Sequence, residues 1–321
     1  MSFTAILFAL LLEQAWPLAT GNGVHAFMRH WVQAALRYFD AGGKHHVWLA
    51  WSFATVLPAA IALAVHWILI SFLGWWAAIV WSIAVLYACV GFRQFSHHFT
   101  AIRDALEAGD EAQASRLLAA WRSLEVKPMP RKEVVRQVME HSVIAAHRHV
   151  LGVLAWFSLL ALLGFGPAGA VFYRLSEFVP RYWRNQAQHQ HLPVSDVLLA
   201  FSAQVWHVVD WLPARITALG FAVVGSFEEA ADSWRAYTLR EGADVQNDGI
   251  ILAASSGAIN VQLGDTAQKP KVGDEVDLSE PPVNRLEPQF GHLRSVVGLV
   301  WRSVVMWMVL LALLSLARLL G

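Results

Sequence analysis

The sequence predicts an all-α polytopic membrane protein, and three observations carry that expectation. Of its 321 residues, 56% are hydrophobic and only 15% charged, with a mean hydropathy of +0.44. A soluble chain of this size carries about 25% charged residues. Long apolar runs recur at 47–71, 74–92, 150–172, 197–225 and 296–320, near the roughly 20 residues that a helix needs to cross hydrocarbon. The 16 Trp residues are the residue type that gathers at bilayer interfaces. Zero formal net charge supplies no basic field, so no nucleic-acid partner is expected. A single cysteine, Cys89, rules out an intramolecular disulfide and any multi-cysteine metal centre.

The elements follow in order. Residues 1–92 hold a short apolar segment and a transmembrane hairpin. Met1 to Leu12 stops at Glu13 and Gln14, so it is either a first helix tucked into a bundle or a re-entrant piece. The hairpin divides near Leu73-Gly74, and Pro58 is expected to kink its first helix. Residues 93–149 are polar and read as a helical region, with two amphipathic helices around Ala108-Gly109-Asp110 and another helix over 131–149. Nine Lys or Arg residues between Arg93 and Arg148 place this block in the cytoplasm. Arg131, Lys132 and Arg136 read as its membrane-proximal, solvated face. Residues 150–225 read as two spans joined by a short loop, 173–196, and interrupted at Gly164-Phe-Gly166-Pro167. Residues 226–295 form a second cytoplasmic segment whose tail, 265–289, carries Pro270, Pro281, Pro282 and Pro288 and reads as irregular. Residues 296–321 hold the last span. The expected sum is about five transmembrane helices in a bacterial-type inner membrane, with the lipid bilayer as partner and a homo-oligomer allowed.

The most informative motif is Asp210-Trp-Leu-Pro-Ala-Arg215, an acid and a guanidinium inside an apolar run. Either charge in hydrocarbon costs roughly 2.5–3.5 kcal/mol on insertion scales. Asp210 followed by Pro213 reads as a helix cap and restart at membrane depth, a device that presents backbone N–H groups to anions. Arg215 lies about 140° around an ideal helix from Asp210, so the two face apart. Glu13 and Glu140 are the other candidate carboxylates. Gln246-Asn247-Asp248-Gly249 and Ser255-Ser256-Gly257 are small enough for close approach to a phosphate but lack the Lys of a P-loop; Ala258 to Leu263 reads as a strand. The 14 histidines include His97-His98, His147-x-His149 and His189-x-His191. Helical i,i+2 pairs point about 200° apart, so no metal site is assigned. Most of these histidines read as interfacial residues, and a haem or metal protein is the remote alternative.

Taken together, these residues resemble the CobD/CbiB family of cobalamin-biosynthesis membrane proteins and its relative AmpE. Leu11-Leu12-Glu13 is similar to the family's acidic residue after an apolar run. Leu106 to Asp110 with Arg116-Leu117-Leu118 is similar to its "LxxGD…AR..L" segment. Glu140 and Ser142-Val143 open the stretch where the family reads Glu-Ser-Val-Ala-Glu-Asn. Tyr173-Arg174 follows the third span as in both branches. Asp210 to Arg215 matches the family's Pro-Ala-Arg motif most closely, and Asn247 to Gly264 looks like its Asn-Ala-Gly segment. The resemblance implies amide ligation of an aminopropanol phosphate to adenosylcobyric acid, with ATP and Mg²⁺ if ligase activity is retained. It also implies a corrinoid or phosphate-bearing small molecule as ligand. The candidate ligand-binding residues on this basis are Glu13, Glu140, Tyr173, Arg174, Asp210, Arg215, Asn247 and Gly249.

The departures fall on the acidic motifs. Ala145-Ala146-His147-Arg148-His149 stands where the family has Glu-Asn-x-Ser-Asp, and its early Gly-Asp-Pro and His-Pro are missing. Leu175-Ser176-Glu177-Phe178 replaces Asn-Thr-x-Asp, Trp206-His207 replaces a double Asp, and Ile251-Leu252 replaces Pro-Glu. These positions would supply metal ligands and bases. The expectation is therefore a cobalamin-related member whose ligation activity is lost or divergent. The alternative is a non-catalytic accessory protein resembling AmpE, a type linked to β-lactamase regulation. Persistence of the Pro-Ala-Arg motif in both branches suits a device that shapes an intramembrane site rather than the catalytic group itself.

Overall fold

The computed structural model describes residues 2–16, 23–39, 44–122, 129–189, 194–264 and 285–320. His191 and most of the Pro-rich tail, 265–284, lie outside the described residues. The described chain is almost wholly helical, and its residues fall into two compact units. Unit 1 comprises 1–94, 147–213 and 307–321; unit 2 comprises 95–146 and 214–306.

Among the described residues, four helices are long and apolar enough to cross a membrane: His46–Leu73, Arg131–Leu162, Asp196–Val224 and His292–Arg318. Two shorter apolar helices accompany them, α1 (Ser2–Ala15) and α4 (Trp75–Cys89). At 1.5 Å per residue these short helices reach only about 21–22 Å, less than the hydrocarbon thickness. The second half of the expected hairpin is thus shorter than a full span. Gly74, at φ +82°, starts it, and Val90 turns extended and ends it.

In unit 1, α2 (Gly23–Phe39) packs on α3 (Lys44–Leu73), α3 packs on α4 and α9 (Ala168–His189), and α1 packs on α4. The core joins Val32 and Leu36 of α2, Ala50 and Trp51 of α3, and Leu175, Val179 and Trp183 of α9. Those α9 residues recur every four positions, the stripe of a helix buried on one side. Residues 173–189, expected as part of a loop, are therefore helical: Arg181 and Arg184 are exposed on the other face of an amphipathic helix, while Arg174 is buried. Gly169 lets α9 approach α8 (Gly152–Leu162), since a Cβ there would stand 2.2 Å from the Trp156 carbonyl oxygen. Most of the apolar surface of α3 stays exposed, including Trp48, Leu57, Ile61 and Phe72, as a lipid-facing helix requires.

Unit 2 opens with α5 (Phe92–Glu107) and α6 (Glu111–Arg122) around the expected turn, where Gly109 takes φ +78° and Asp110 accepts from Gln113 N–H at 2.8 Å. Next comes α7 (Arg131–Ala146). The hairpin α11 (Phe227–Glu241) and α12 (Asn247–Ile259) packs Ala218 against Ile250 and Ala254. The strand expected over 258–263 reduces to one bridge, Val261 with Leu286, because α12 runs on to Ile259 and ends at Asn260 in the left-handed region, φ 53°.

The expected helix restart at Asp210 does not occur. Asp210 and Pro213 both lie inside one continuous helix, α10 (Asp196–Val224). Pro213 lacks the N–H that would bond the Val209 carbonyl. The Trp156 indole N–H donates to that carbonyl at 3.1 Å instead. A donor from another helix thus satisfies the freed group, and the helix need not break. The segment 258–263 and the motif 210–215 both show tertiary partners overriding local signals.

Candidate functional site

Between α7 and α8 the helix widens into a π-helical turn, His147–Leu151. Such turns are frequent at functional sites. Here it carries His147 into the interior of unit 1. His147, Tyr173 and Asp210 are all at most 1% exposed. His147 Nε2 lies 2.8 Å from Asp210 Oδ1, and the Tyr173 hydroxyl donates to the same oxygen at 2.8 Å. The Tyr173 oxygen is 3.2 Å from His147 Nε2. With the carboxylate as acceptor, His147 Nε2 is the protonated nitrogen. Gly152 makes room for the phenol, because a Cβ there would stand 2.1 Å from the Tyr173 oxygen. Asp210 Oδ2 is buried without a hydrogen-bond partner among the described residues.

One helical position on, Arg174 begins a second buried network in the same unit. Its Nη1 donates to His149 Nδ1 at 2.7 Å and to Glu177 Oε2 at 3.1 Å. Arg181 Nε meets Glu177 Oε1 at 3.1 Å. Burial alone would push the Glu177 carboxyl up, but Arg181 and Arg174 hold it below the usual carboxylate range. Glu13 is also buried and lines a cavity of about 10 Å³ with His25, Cys89, Gly91 and Arg174. That is room for about one water. His25 is held below its ordinary value by burial and then by Arg174, Arg29 and Arg181.

The remaining candidates lie in unit 2. Glu140 Oε1 accepts from Arg136 Nη1 and from Gly264 N–H, each at 2.8 Å. Arg215 Nη1 donates to Asn247 Oδ1 at 3.3 Å. Gly249 and Gly257 serve close helix packing: a Cβ on Gly249 would stand 2.0 Å from the Tyr237 hydroxyl, and one on Gly257 2.1 Å from the Glu229 carbonyl oxygen. Arg285 Nη1 donates to Ser256 Oγ at 3.2 Å, and its Nη2 to Ser233 Oγ.

Glu13, Tyr173, Arg174 and Asp210 therefore belong to unit 1, while Glu140, Arg215, Asn247 and Gly249 belong to unit 2. Asp210 and Arg215, five residues apart, have different partners, as their helical angle requires. The sequence groups His147 with the interfacial histidines and gives Glu177 and Arg181 no role, whereas His147 and Glu177 are buried. The available signal was Asp210 itself, since a carboxylate at that depth needs a donor nearby.

The donor chemistry does not fit a resident Mg²⁺. Asp210, Glu177 and Glu140 each accept from the chain's own donors, and among the described residues no group of three His, Cys, Asp or Glu is placed to hold a metal ion. A magnesium site would need several such oxygens around one point. What the geometry provides in unit 1 is a buried, hydrogen-bonded acid between a histidine and a phenol, with a guanidinium–carboxylate network beside it.

The comparisons agree with this scaffold. No solved structure matches the chain. Cobalamin biosynthesis protein CobD of Stutzerimonas stutzeri (strain A1501) is 29% identical over 320 residues, covering 96% of each chain. Cobalamin biosynthesis protein CobD of Chromobacterium violaceum is 30% identical over 192 residues, 59% of this chain and 57% of that one. Residues 5–300 match the CobD/Cbib protein family. With its apolar helices, its Pro-Ala-Arg motif and a match over nearly its whole length, the chain belongs to the CobD/CbiB family of membrane proteins.

Proposed function

We propose that this chain acts in cobalamin biosynthesis at the bacterial inner membrane, binding a corrinoid intermediate without itself forming the amide bond. The step concerned is the one that joins an aminopropanol phosphate to adenosylcobyric acid. The observation that carries the reading is the state of the carboxylates. Ligation through an activated acid needs oxygens to hold Mg²⁺ beside ATP and a base for the attacking amine. Here Asp210 is engaged by His147 and Tyr173, Glu177 by two arginines, and Glu140 by Arg136 and the Gly264 amide. Taking Asp210 for catalysis would strand the buried His147 and Tyr173, and taking Glu177 would strand the buried Arg174.

The test is expression at normal level in a bacterium lacking its CbiB, with visible absorption of the purified protein as the second readout. The reading expects no restoration of cobalamin synthesis and a corrinoid band that travels with the protein. Restored synthesis would sink the non-catalytic reading. A second reading, an accessory membrane protein of the AmpE type, is favoured by retention of Asp210 to Arg215 after loss of the acidic motifs. It predicts neither rescue nor a corrinoid band.

A further inference from the structure

A second polar site lies on unit 1, away from the His147 cluster. Arg29, His30 and Gln33 of α2 and Tyr182, Asn185 and Gln186 of α9 line a cleft of about 460 Å³. Its chemistry is uneven. Helix α2 carries Arg29 and Arg37 and no acid. The facing half of α9 carries Arg181 and Arg184 with one acid, Glu177, whose oxygens already meet Arg174 and Arg181. Burial pushes the Tyr182 phenol up, an effect that Arg29 and Arg37 only partly offset. His30 Nδ1 donates to the Ala26 carbonyl at 2.8 Å, which fixes the ring.

The cleft also holds an unmet acceptor. Gln186 is 3% exposed and lines it, yet its Oε1 has no hydrogen-bond partner among the described residues. A buried carboxamide oxygen left without a donor is destabilising. The guanidinium and the carboxamide together ask for a ligand with an anionic oxygen at one end and a hydroxyl donor at the other. The surroundings say where such a ligand would come from. Gln33 and Tyr182 adjoin Val32 and Trp183, which pack on the first turns of the exposed, apolar helix α3. Phe27, Tyr38 and Trp48, all more than half exposed, belong to the side-chain type that settles at headgroup level. Basic pockets beside transmembrane helices take anionic headgroups.

We infer that this cleft binds the glycerol phosphodiester headgroup of an anionic phospholipid, phosphatidylglycerol chemistry, with Arg29 on the phosphate and Gln186 accepting from the glycerol hydroxyls. The acyl chains then lie along the exposed face of α3, against Leu57 and Ile61.

The test is native mass spectrometry of the delipidated full chain, titrated separately with phosphatidylglycerol, phosphatidic acid, phosphatidylcholine and soluble glycerol 1-phosphate. Phosphatidylglycerol is expected to bind about tenfold more tightly than phosphatidylcholine, which has the same phosphodiester but ends in a trimethylammonium that gives Gln186 no hydroxyl and meets Arg29 as a like charge. Arg29→Gln, at an exposed position, weakens binding of every phosphate-bearing lipid about tenfold, the size of one charge-assisted contact. Gln186→Leu removes the preference for phosphatidylglycerol over phosphatidic acid, which has the phosphate but no glycerol hydroxyls, and leaves phosphatidic acid binding intact. If Gln186→Leu does not fold, the exposed Asn185→Leu reads the same hydroxyl end. Equal binding of the two diester lipids, or no effect of Arg29→Gln, overturns the proposal. So does glycerol 1-phosphate binding as tightly as the lipid, which would make this a site for soluble phosphates.

Discussion

At the scale of single residues, the largest effects belong to groups with no solvent to fall back on. His147 and Asp210 are enclosed, so removing one strands the other. His147→Ala is expected to cost about 3–5 kcal/mol of stability, the penalty for an uncompensated buried partner. His147→Gln paired with Asp210→Asn recovers most of that loss, because the pair becomes neutral and stays bonded. Unfolding in a mild detergent with a graded denaturant measures both; equal losses for the single and the paired variant would contradict the cluster. His25 gives a pH signature. Its folded value lies below the ordinary 6.5 through burial and the nearby arginines, so the unfolded chain takes the proton first. Stability is full above about pH 6.5 and falls as the pH drops below it. His98 shifts the same way, through burial and His97. His25→Gln with His98→Gln should flatten a melting-temperature profile between about pH 7.5 and 5.5; an unchanged slope would assign the acid sensitivity elsewhere. Asp210 was legible in the sequence because a carboxylate in an apolar run is costly. Its partners were not, since His147 and Tyr173 stand 63 and 37 positions away along the chain.

Among the elements, continuity of α10 turns on one donor. Pro213 orphans the Val209 carbonyl, and Trp156 supplies the missing N–H. Trp156→Phe keeps an aromatic side chain but deletes the indole donor, and should cost about 1–3 kcal/mol. In a Pro213→Ala background the backbone amide restored at that position can serve Val209, so Trp156→Phe should cost less than about 1 kcal/mol. Additive losses in that cycle would refute the exchange of donors. The α11–α12 hairpin has its own probe. Gly257→Ala sets a methyl against the Glu229 carbonyl, whereas Gly298 has open space around it. The first should lower the melting temperature. The same change at Gly298 should hold or raise it, since Ala is better than Gly in a helix by about 0.5–1 kcal/mol. Helix-forming runs and the Gly109 turn could be read directly from the sequence. The amphipathic helix α9 was hidden by its Arg and His residues, although Leu175, Val179 and Trp183 mark its buried stripe. The π turn carries no sequence signal of its own; it coincides with the contact of His147 with Asp210, 63 positions away.

For the whole molecule, composition and run length sufficed to establish a helical membrane protein. The order of its motifs pointed to the family that the comparisons then showed. What neither composition nor motif order contained is how the remaining acids are used. Asp210, Glu177 and Glu140 are bound to the chain's own histidine, phenol, arginines and an amide, and that supports the proposal of binding rather than ligation. The most direct measurement incubates the purified full chain, in lipid nanodiscs, with adenosylcobyric acid, aminopropanol phosphate, ATP and Mg²⁺. Mass spectrometry follows the amide product, and visible absorption follows the corrinoid on the protein. The account predicts a corrinoid band that co-elutes with the protein and no amide product above the level without protein. Multiple-turnover formation of the amide, or a protein fraction with no corrinoid absorption, would contradict it.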